Sequence, residues 1–336
     1  MRYKKLGRTD IEVSVICQGC WSIVTQGSTW GPNDLNDSIA AIQASLEAGV
    51  NFFDTAEIYG HGESEQILAQ ALGPARKQVI LASKIGPQHL TDRESARKAC
   101  EQSLRYLKTD YIDLYQIHWP NPTVPVAETI GLMEQLRAEG KIRVIGVSNF
   151  GSSYMNELLM NGRAETNQLC YSLLTRSIED QIVPLCLQSD MSILCYSPIC
   201  QGLLAGKFAS ADDVPDGRAR TRLFSKDRPQ ARHTGPGCEN QMFEAIARIR
   251  AICASLGEPM SDVSMAWALA QPAVTSVIVG GRNAAQARQN ALANELVLPP
   301  EVISSLSAAT ESVKEYLGTN CDMWQTDSRA ERPQPQ

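Results

Sequence analysis

The sequence predicts an α/β protein whose eight parallel strands close into a (β/α)8 barrel. Three observations carry this. Short apolar runs alternate eight times with stretches of helical periodicity, and such alternation builds a parallel sheet with crossover helices. The eight repeats fill about 250 residues, the usual span of a closed barrel of this kind. No Gly-x-Gly-x-x-Gly opens the first helix, as an open dinucleotide-binding sheet would require.

The elements follow in order. Two short segments flank Arg8-Thr9-Asp10 in "KKLGRTDIEVS" and read as an N-terminal β-hairpin. Strand one is "SVICQG", and in the helix after it Leu35, Ile39, Ile42 and Leu46 recur at helical spacing. "VNFFD" is strand two, with helix "ESEQILAQAL". "QVILASK" is strand three, and Ala96, Cys100, Leu104 and Leu107 share one face of the helix after it. "YIDLYQIH" is strand four, and its helix ends at Gly140, a residue suited to a C-cap. "IRVIGVSN" with "GSSYMNELLM" makes the fifth pair, and "AETNQL" with "IEDQIVPLCLQS" the sixth. "MSILCYS" is strand seven. A long loop is expected after it, over about 199–240, where Gly, Pro and charge are dense. Helices "FEAIARIRAICASL" and "VSMAWALA" then precede strand eight, "VTSVIVG", and the last helix of the series, "NAAQARQNAL". One barrel domain is expected over 1–320, with the polar residues 321–336 as a disordered C-terminal tail.

Bulk properties narrow the function. A hydrophobic share of 43% supports a large core, and a net charge of −6 gives no reason to expect a nucleic-acid partner. No apolar run approaches a membrane span, and the basic N-terminus lacks the apolar stretch of a signal peptide. A cytoplasmic protein, monomer or homo-oligomer, is expected. Most of the ten cysteines lie in apolar runs, where a thiol packs as a small core residue. Cys17-Gln-Gly-Cys20 is a C-x-x-C, but it has neither a thioredoxin-like context nor the second pair that a zinc site needs. It reads as two thiols at a strand end, and no metal is expected.

In such a barrel chemistry sits at the C-terminal ends of the strands. Those ends carry Asp54, Lys84, His118, Ser148-Asn149, Asn167-Gln168, Tyr196 and Gly280-Gly281-Arg282, with Tyr59 one loop beyond Asp54. Stability alone requires no such row of polar ends. A tyrosine hydroxyl is a reluctant proton donor near neutral pH. A neighbouring ammonium stabilises the phenolate, and an aspartate keeps that ammonium charged. A histidine donates to a substrate oxygen. Together they suit carbonyl reduction, with hydride coming from a nicotinamide, since no side chain supplies it.

At this point the sequence resembles the aldo-keto reductases, from about Tyr3 to Glu311. "NFFDTAEIYG", "LASK", "QIHWP", "IRVIGVSNF", "NQLCYS", "YSPICQGLLAGKF" and "VIVGGRNAAQARQN" match segments of that family in order. The resemblance implies a TIM barrel and a catalytic tetrad of Asp54, Tyr59, Lys84 and His118. In it Tyr59 is the general acid, Lys84 lowers the pKa of Tyr59 and is held by Asp54, and His118 orients the carbonyl. It implies a nicotinamide cofactor across the barrel mouth, with Ser148, Asn149 and Gln168 on the carboxamide and Tyr196 stacked on the ring. Leu203, Gly206 and Lys207 would line the pyrophosphate side and Gly280, Arg282, Gln286 and Asn290 the adenosine side, with Ser197 and Pro198 also binding the cofactor. The lysine that often marks NADP preference is missing after strand eight. Arg282 is suited to a 2′-phosphate, so NADP(H) is favoured and NAD(H) stays open.

The reaction expected is reduction of an aldehyde, ketone or sugar carbonyl. The alternatives are a sugar or polyol dehydrogenase working mainly in oxidation, and a redox-sensing subunit like the potassium-channel beta proteins. Trp21, Trp30 and Trp119 are expected to wall the substrate pocket. His89 and His233 read as surface residues, and His61 as solvent-exposed. The six Lys or Arg residues between Arg218 and Arg232 read either as a mobile solvated run or as a loop over the cofactor phosphates.

Overall fold

An antiparallel hairpin, β1 (Tyr3–Lys5) and β2 (Glu12–Ser14), precedes the barrel. The barrel strands are β3 (Ile16–Gly19), β4 (Phe52–Asp54), β5 (Ile80–Ile85), β6 (Ile112–Ile117), β7 (Ile142–Ser148), β8 (Thr166–Cys170), β9 (Ser192–Tyr196) and β10 (Val274–Gly280). Each pairs in parallel with the next, and β10 returns to β3, closing the sheet. The computed structural model describes residues 1–26 and 31–333.

Period-two alternation decides what faces inward. One buried cluster holds Cys17, Phe52, Ala82, Leu114, Val144, Leu194 and Ile278, one residue from each strand except β8. Leu6 and Val13 of the hairpin join this cluster and plug the barrel beneath it. The alternate residues Ile16, Phe53, Leu81, Tyr115 and Ile145 belong to the outer cluster, packed against the helices. Fully burying each large apolar side chain contributes about 1.5–3 kcal/mol.

Two residues further along the same inward rows, the apolar layer gives way to Asp54, Lys84 and Gln116. Gln168 stands two residues beyond Thr166 on β8. Gly146 keeps the layer open: a Cβ there would lie 2.4 Å from Thr166 Oγ1 and 2.8 Å from Gln116 Cγ.

Around the sheet run α1 (Leu35–Glu47), α2 (Glu63–Leu72), α3 (Arg93–Leu107), α4 (Val126–Ala138), α5 (Ser152–Asn161) and α6 (Ile182–Gln188), followed by α7 (Glu239–Leu256), α8 (Met260–Leu269) and α9 (Ala284–Leu292). Their starts are set by local chemistry. Asp34 accepts from the amides of Asn36 and Asp37, Asp92 from Ser95, and Asn283 from Gln286, each satisfying donors the first turn leaves over. Two further helices, α10 (Pro300–Ala309) and α11 (Glu311–Leu317), lie beyond the series read from the sequence. Among the described residues no helix is long and apolar enough to cross a membrane.

The C-terminal segment corrects an expectation. Residues 321–333 are packed on the barrel rather than disordered. Cys321, Asp322, Met323 and Ala330 are buried. Glu331 caps α5, accepting from the amides of Ser152 at 2.7 Å and Ser153 at 2.8 Å. Arg332 grips Glu157 with two bonds of 2.8 Å. Polar composition suggested a solvated tail, but these charges find partners on a distant helix.

The basic stretch after β9 is likewise fixed. Arg222 donates to the carbonyls of Leu317 and Asn320, and Arg228 pairs with Glu239. His233 is buried, not at the surface. His89 is partly exposed beside Glu57, and His61 is exposed.

Candidate active site

Asp54 organises the floor of the barrel mouth. Its Oδ1 accepts from Lys84 Nζ at 2.5 Å, and its Oδ2 from Gln168 Nε2 at 2.8 Å and Gln116 Nε2 at 3.2 Å. Lys84 Nζ also donates to the Thr55 carbonyl at 2.8 Å and reaches Tyr59 Oη at 3.4 Å. Lys84 is fully buried, so its charge depends on these partners. Desolvation pulls its pKa down, but Asp54 and Tyr59 outweigh that, and the net direction is up.

Tyr59 reaches the mouth through a tight turn in which Gly60, His61 and Gly62 have φ of 58, 54 and 92°. Gly62 is required there: a Cβ would lie 2.4 Å from the Tyr106 ring. Burial pushes the Tyr59 hydroxyl above its ordinary range, and Lys84 offsets this only in part. The net direction is therefore opposite to the expected lowering, because desolvation of a phenolate at this site exceeds the pull of one ammonium. His118 meets Tyr59 edge-on, with ring centroids 6.0 Å apart. Burial, then Lys84 and Arg329, draw its pKa down to about 3, so the imidazole is neutral at pH 7.

A cavity of about 780 Å³ opens above this floor. Asp54, Tyr59 and His118 line it, with Lys84 underneath. Ser148, Asn149, Gln168, Tyr196, Ser197, Pro198, Lys207, Gly280, Arg282, Gln286 and Asn290 also line it, as do Trp21 and Trp119. Leu203 and Gly206 do not; Leu203 is buried in the core. Trp30 lies outside the described residues.

The expected carboxamide contacts bond to one another. Tyr196 Oη donates to Asn149 Oδ1 at 2.9 Å, Asn149 Nδ2 to Ser148 Oγ at 3.0 Å, and Ser148 Oγ to the Gln168 carbonyl at 3.0 Å. At the β10 end Gln286 Oε1 accepts from the Arg282 amide at 3.0 Å, and Asn290 Nδ2 donates to the Gly280 carbonyl at 3.1 Å. Arg218 stands near enough to Arg282 for the two charges to repel.

Sequence reading missed several members of the site. Gln116 sits on the inward row two residues before His118, and that parity was the available signal. Trp324 and Arg329 of the C-terminal segment line the cavity with no local pattern to announce them. Arg218, Arg220 and Arg232 of the basic stretch line it too, so that stretch is divided between the cavity and the protein. A second cavity of about 760 Å³ lies against the C-terminal segment and, among the described residues, shares Trp119 and Arg329 with the first.

Cys17 and Cys20 are buried free thiols raised by desolvation, which makes them poor nucleophiles. Among the described residues no group of His, Cys, Asp and Glu could hold a metal ion.

The arrangement fits a nicotinamide dinucleotide. Amides, hydroxyls and the Tyr196 ring gather beside the tetrad, while guanidiniums gather by the end of β10, the pairing such a molecule's ring and phosphates require. Comparison with known proteins agrees. The model of the aldo/keto reductase family matches residues 15–311. An aldo-keto reductase of Bacillus subtilis, YhdN, is 35% identical over 300 residues, covering 85% of this chain and 86% of its own. An NADH-specific methylglyoxal reductase of Escherichia coli is 32% identical, over 87% of this chain and 93% of its own. The crystal structure of a Klebsiella pneumoniae aldo/keto reductase in complex with NADP and acetate superposes with a TM-score of 0.70 at 29% identity, over 88% of this chain and 91% of that one.

Proposed function

The chain belongs to the aldo/keto reductase family of NAD(P)H-dependent oxidoreductases, and on that premise we propose that it reduces an aldehyde or ketone to the alcohol with NADPH, Tyr59 acting as proton donor. The contact chain from Asp54 through Lys84 to Tyr59, with His118 on the same cavity, carries this reading.

Ser148, Asn149, Gln168 and Tyr196 would hold the nicotinamide, and Arg282, Arg218 and Lys207 the phosphates. When bound, the cofactor supplies hydride to the carbonyl carbon. The residues handle everything else. Neutral His118 donates one hydrogen bond to the substrate oxygen and, uncharged, does not compete as an acid. Tyr59 stays protonated at neutral pH, since burial raises its pKa. As negative charge grows on the substrate oxygen, the phenol proton moves to it, and Lys84 stabilises the phenolate that forms. Asp54, Gln116 and Gln168 keep the ammonium charged and in place.

NADP(H) is preferred to NAD(H) because Arg282 and Arg218 put two fixed positive charges where a 2′-phosphate would lie. The test is Tyr59→Phe. Steady-state reduction of a small aldehyde should fall about 10²- to 10⁴-fold, while quenching of NADPH fluorescence still reports cofactor binding. Undiminished turnover would remove Tyr59 from the mechanism.

A further inference from the structure

We propose that the cavity contains an anion-binding subsite beside the carbonyl position, made by Arg220 and Arg329 around Trp324, and that the substrate is a carbonyl compound bearing a carboxylate. This rests on the carbonyl-reduction reading and narrows it to a substrate class.

Among the described residues the cavity wall carries six cationic side chains, Lys207, Arg218, Arg220, Arg232, Arg282 and Arg329. Its one carboxylate, Asp54, is already engaged by Lys84. The cations fall into two groups. Arg218 and Arg282 are neighbours at the end of β10. Arg220 is drawn toward Tyr59 by its indole contacts. Its guanidinium lies 4.7 Å from the Trp324 ring and 5.6 Å from the Trp21 ring, and Trp21 is 6.3 Å from Tyr59. Arg232 is close enough to Arg220 to repel it. Arg329 lies 3.9 Å over the ring of Trp119, the residue next to His118, and its charge reaches the imidazole. One guanidinium thus packs on the indole beside Tyr59 and another on the indole next to His118, all on the wall of the same cavity.

The Arg329 side is built rather than incidental. Buried Asp322 accepts from Arg329 Nε at 2.8 Å and Nη2 at 2.9 Å, and its Oδ1 also accepts from the Trp324 amide at 2.9 Å. One carboxylate thus sets the position of Arg329 and of the backbone that carries the indole packed on Arg220. Arg329 Nη1 has no acceptor among the described residues, and Arg329 lines the cavity. A carboxylate entering this cationic wall gains charge-assisted bonds from its guanidiniums. A neutral carbonyl compound gains nothing from them.

The test compares 4-oxobutanoate with butanal, aldehydes of equal chain length, using the whole enzyme with saturating NADPH. The acid should have a kcat/KM at least about tenfold higher, mainly through KM, and the advantage should shrink as potassium chloride is added. Arg220→Gln should raise the acid's KM about tenfold. Arg329→Gln alone would leave Asp322 buried without its partner, so the paired change Asp322→Asn, Arg329→Gln is used, with the same expectation. Equal kcat/KM for the two aldehydes, or a preference for butanal, overturns the subsite while leaving carbonyl reduction standing. Loss of NADPH binding in step with loss of the acid preference assigns the arginines to the cofactor and also overturns it. Consumption of neither aldehyde, with NADPH or NADH, overturns the carbonyl-reduction reading as well.

Discussion

The floor and the rim of the cavity are made on different principles. Floor residues stand on strands β4, β5, β6 and β8, point inward by alternation and saturate one another: Asp54 alone accepts from Lys84, Gln116 and Gln168. Rim residues come from loops and from the C-terminal segment, and Trp21, Trp119 and Trp324 alternate there with guanidiniums that lie over their rings. The floor is a closed hydrogen-bond network holding one ammonium. The rim is an open, cationic surface. In the function proposed above, chemistry belongs to the floor with Tyr59 and His118 over it, and selection of ligands to the rim.

The sharpest way to break this division is at Lys84. Lys84→Met removes the charge from the network, and kcat for a small aldehyde should fall about 10²- to 10⁴-fold in single-turnover measurements. A loss below tenfold would mean that the floor is structural only.

Next comes pH. Glu65 of α2 is buried, bonded through Oε1 to Ser83 Oγ at 2.6 Å, and burial raises its pKa from 4.5 to about 7. Because the folded pKa is above the unfolded one, its contribution is fully present below pH 4.5 and is lost as pH rises through 7. The protein should be roughly 3 kcal/mol less stable at pH 8 than at pH 4.5 from this group. Urea midpoints at several pH values would show the slope, and Glu65→Gln should flatten it. A wild-type profile that rises with pH across this window would contradict the burial argument.

Changes at the rim should be smaller and selective. Arg282→Ala should lower the ratio of kcat/KM for NADPH over NADH about tenfold; an unchanged ratio would place the 2′-phosphate elsewhere. Glu331→Ala, which uncaps α5, should cost about 1 kcal/mol of stability, read as a shift in thermal midpoint, and should raise KM for the aldehyde more than it lowers kcat.

The same contrast explains what the sequence disclosed. Alternation marked the floor: Phe52 and Asp54, Ala82 and Lys84, Leu114 and Gln116 repeat one inward step from apolar to polar. Gln116 follows the same step, but it stands two residues short of the strand end, where His118 carries the more conspicuous chemistry. The rim has no period. Glu331 and Arg332 meet Ser152 and Glu157 across 179 and 175 residues, so no local window shows the pairing, and a Pro-rich polar run reads as disorder. Family likeness supplied the segment around Leu203 but not the direction of that side chain, which turns into the core. The direction of the Tyr59 pKa needed a balance of burial against Lys84, which only packing fixes.

The Glu331 cap and the Arg332–Glu157 pair give the chain an interchangeable part. A protein engineer could exchange residues 322–330 for another sequence, keep the anchor formed by Glu331, Arg332, Ser152, Ser153 and Glu157, and present a new wall to the cavity without altering a single strand. The same anchor would let natural variation redraw the preferred substrate in one short step, while the inward layer, where each group is held by its neighbours, stays as it is.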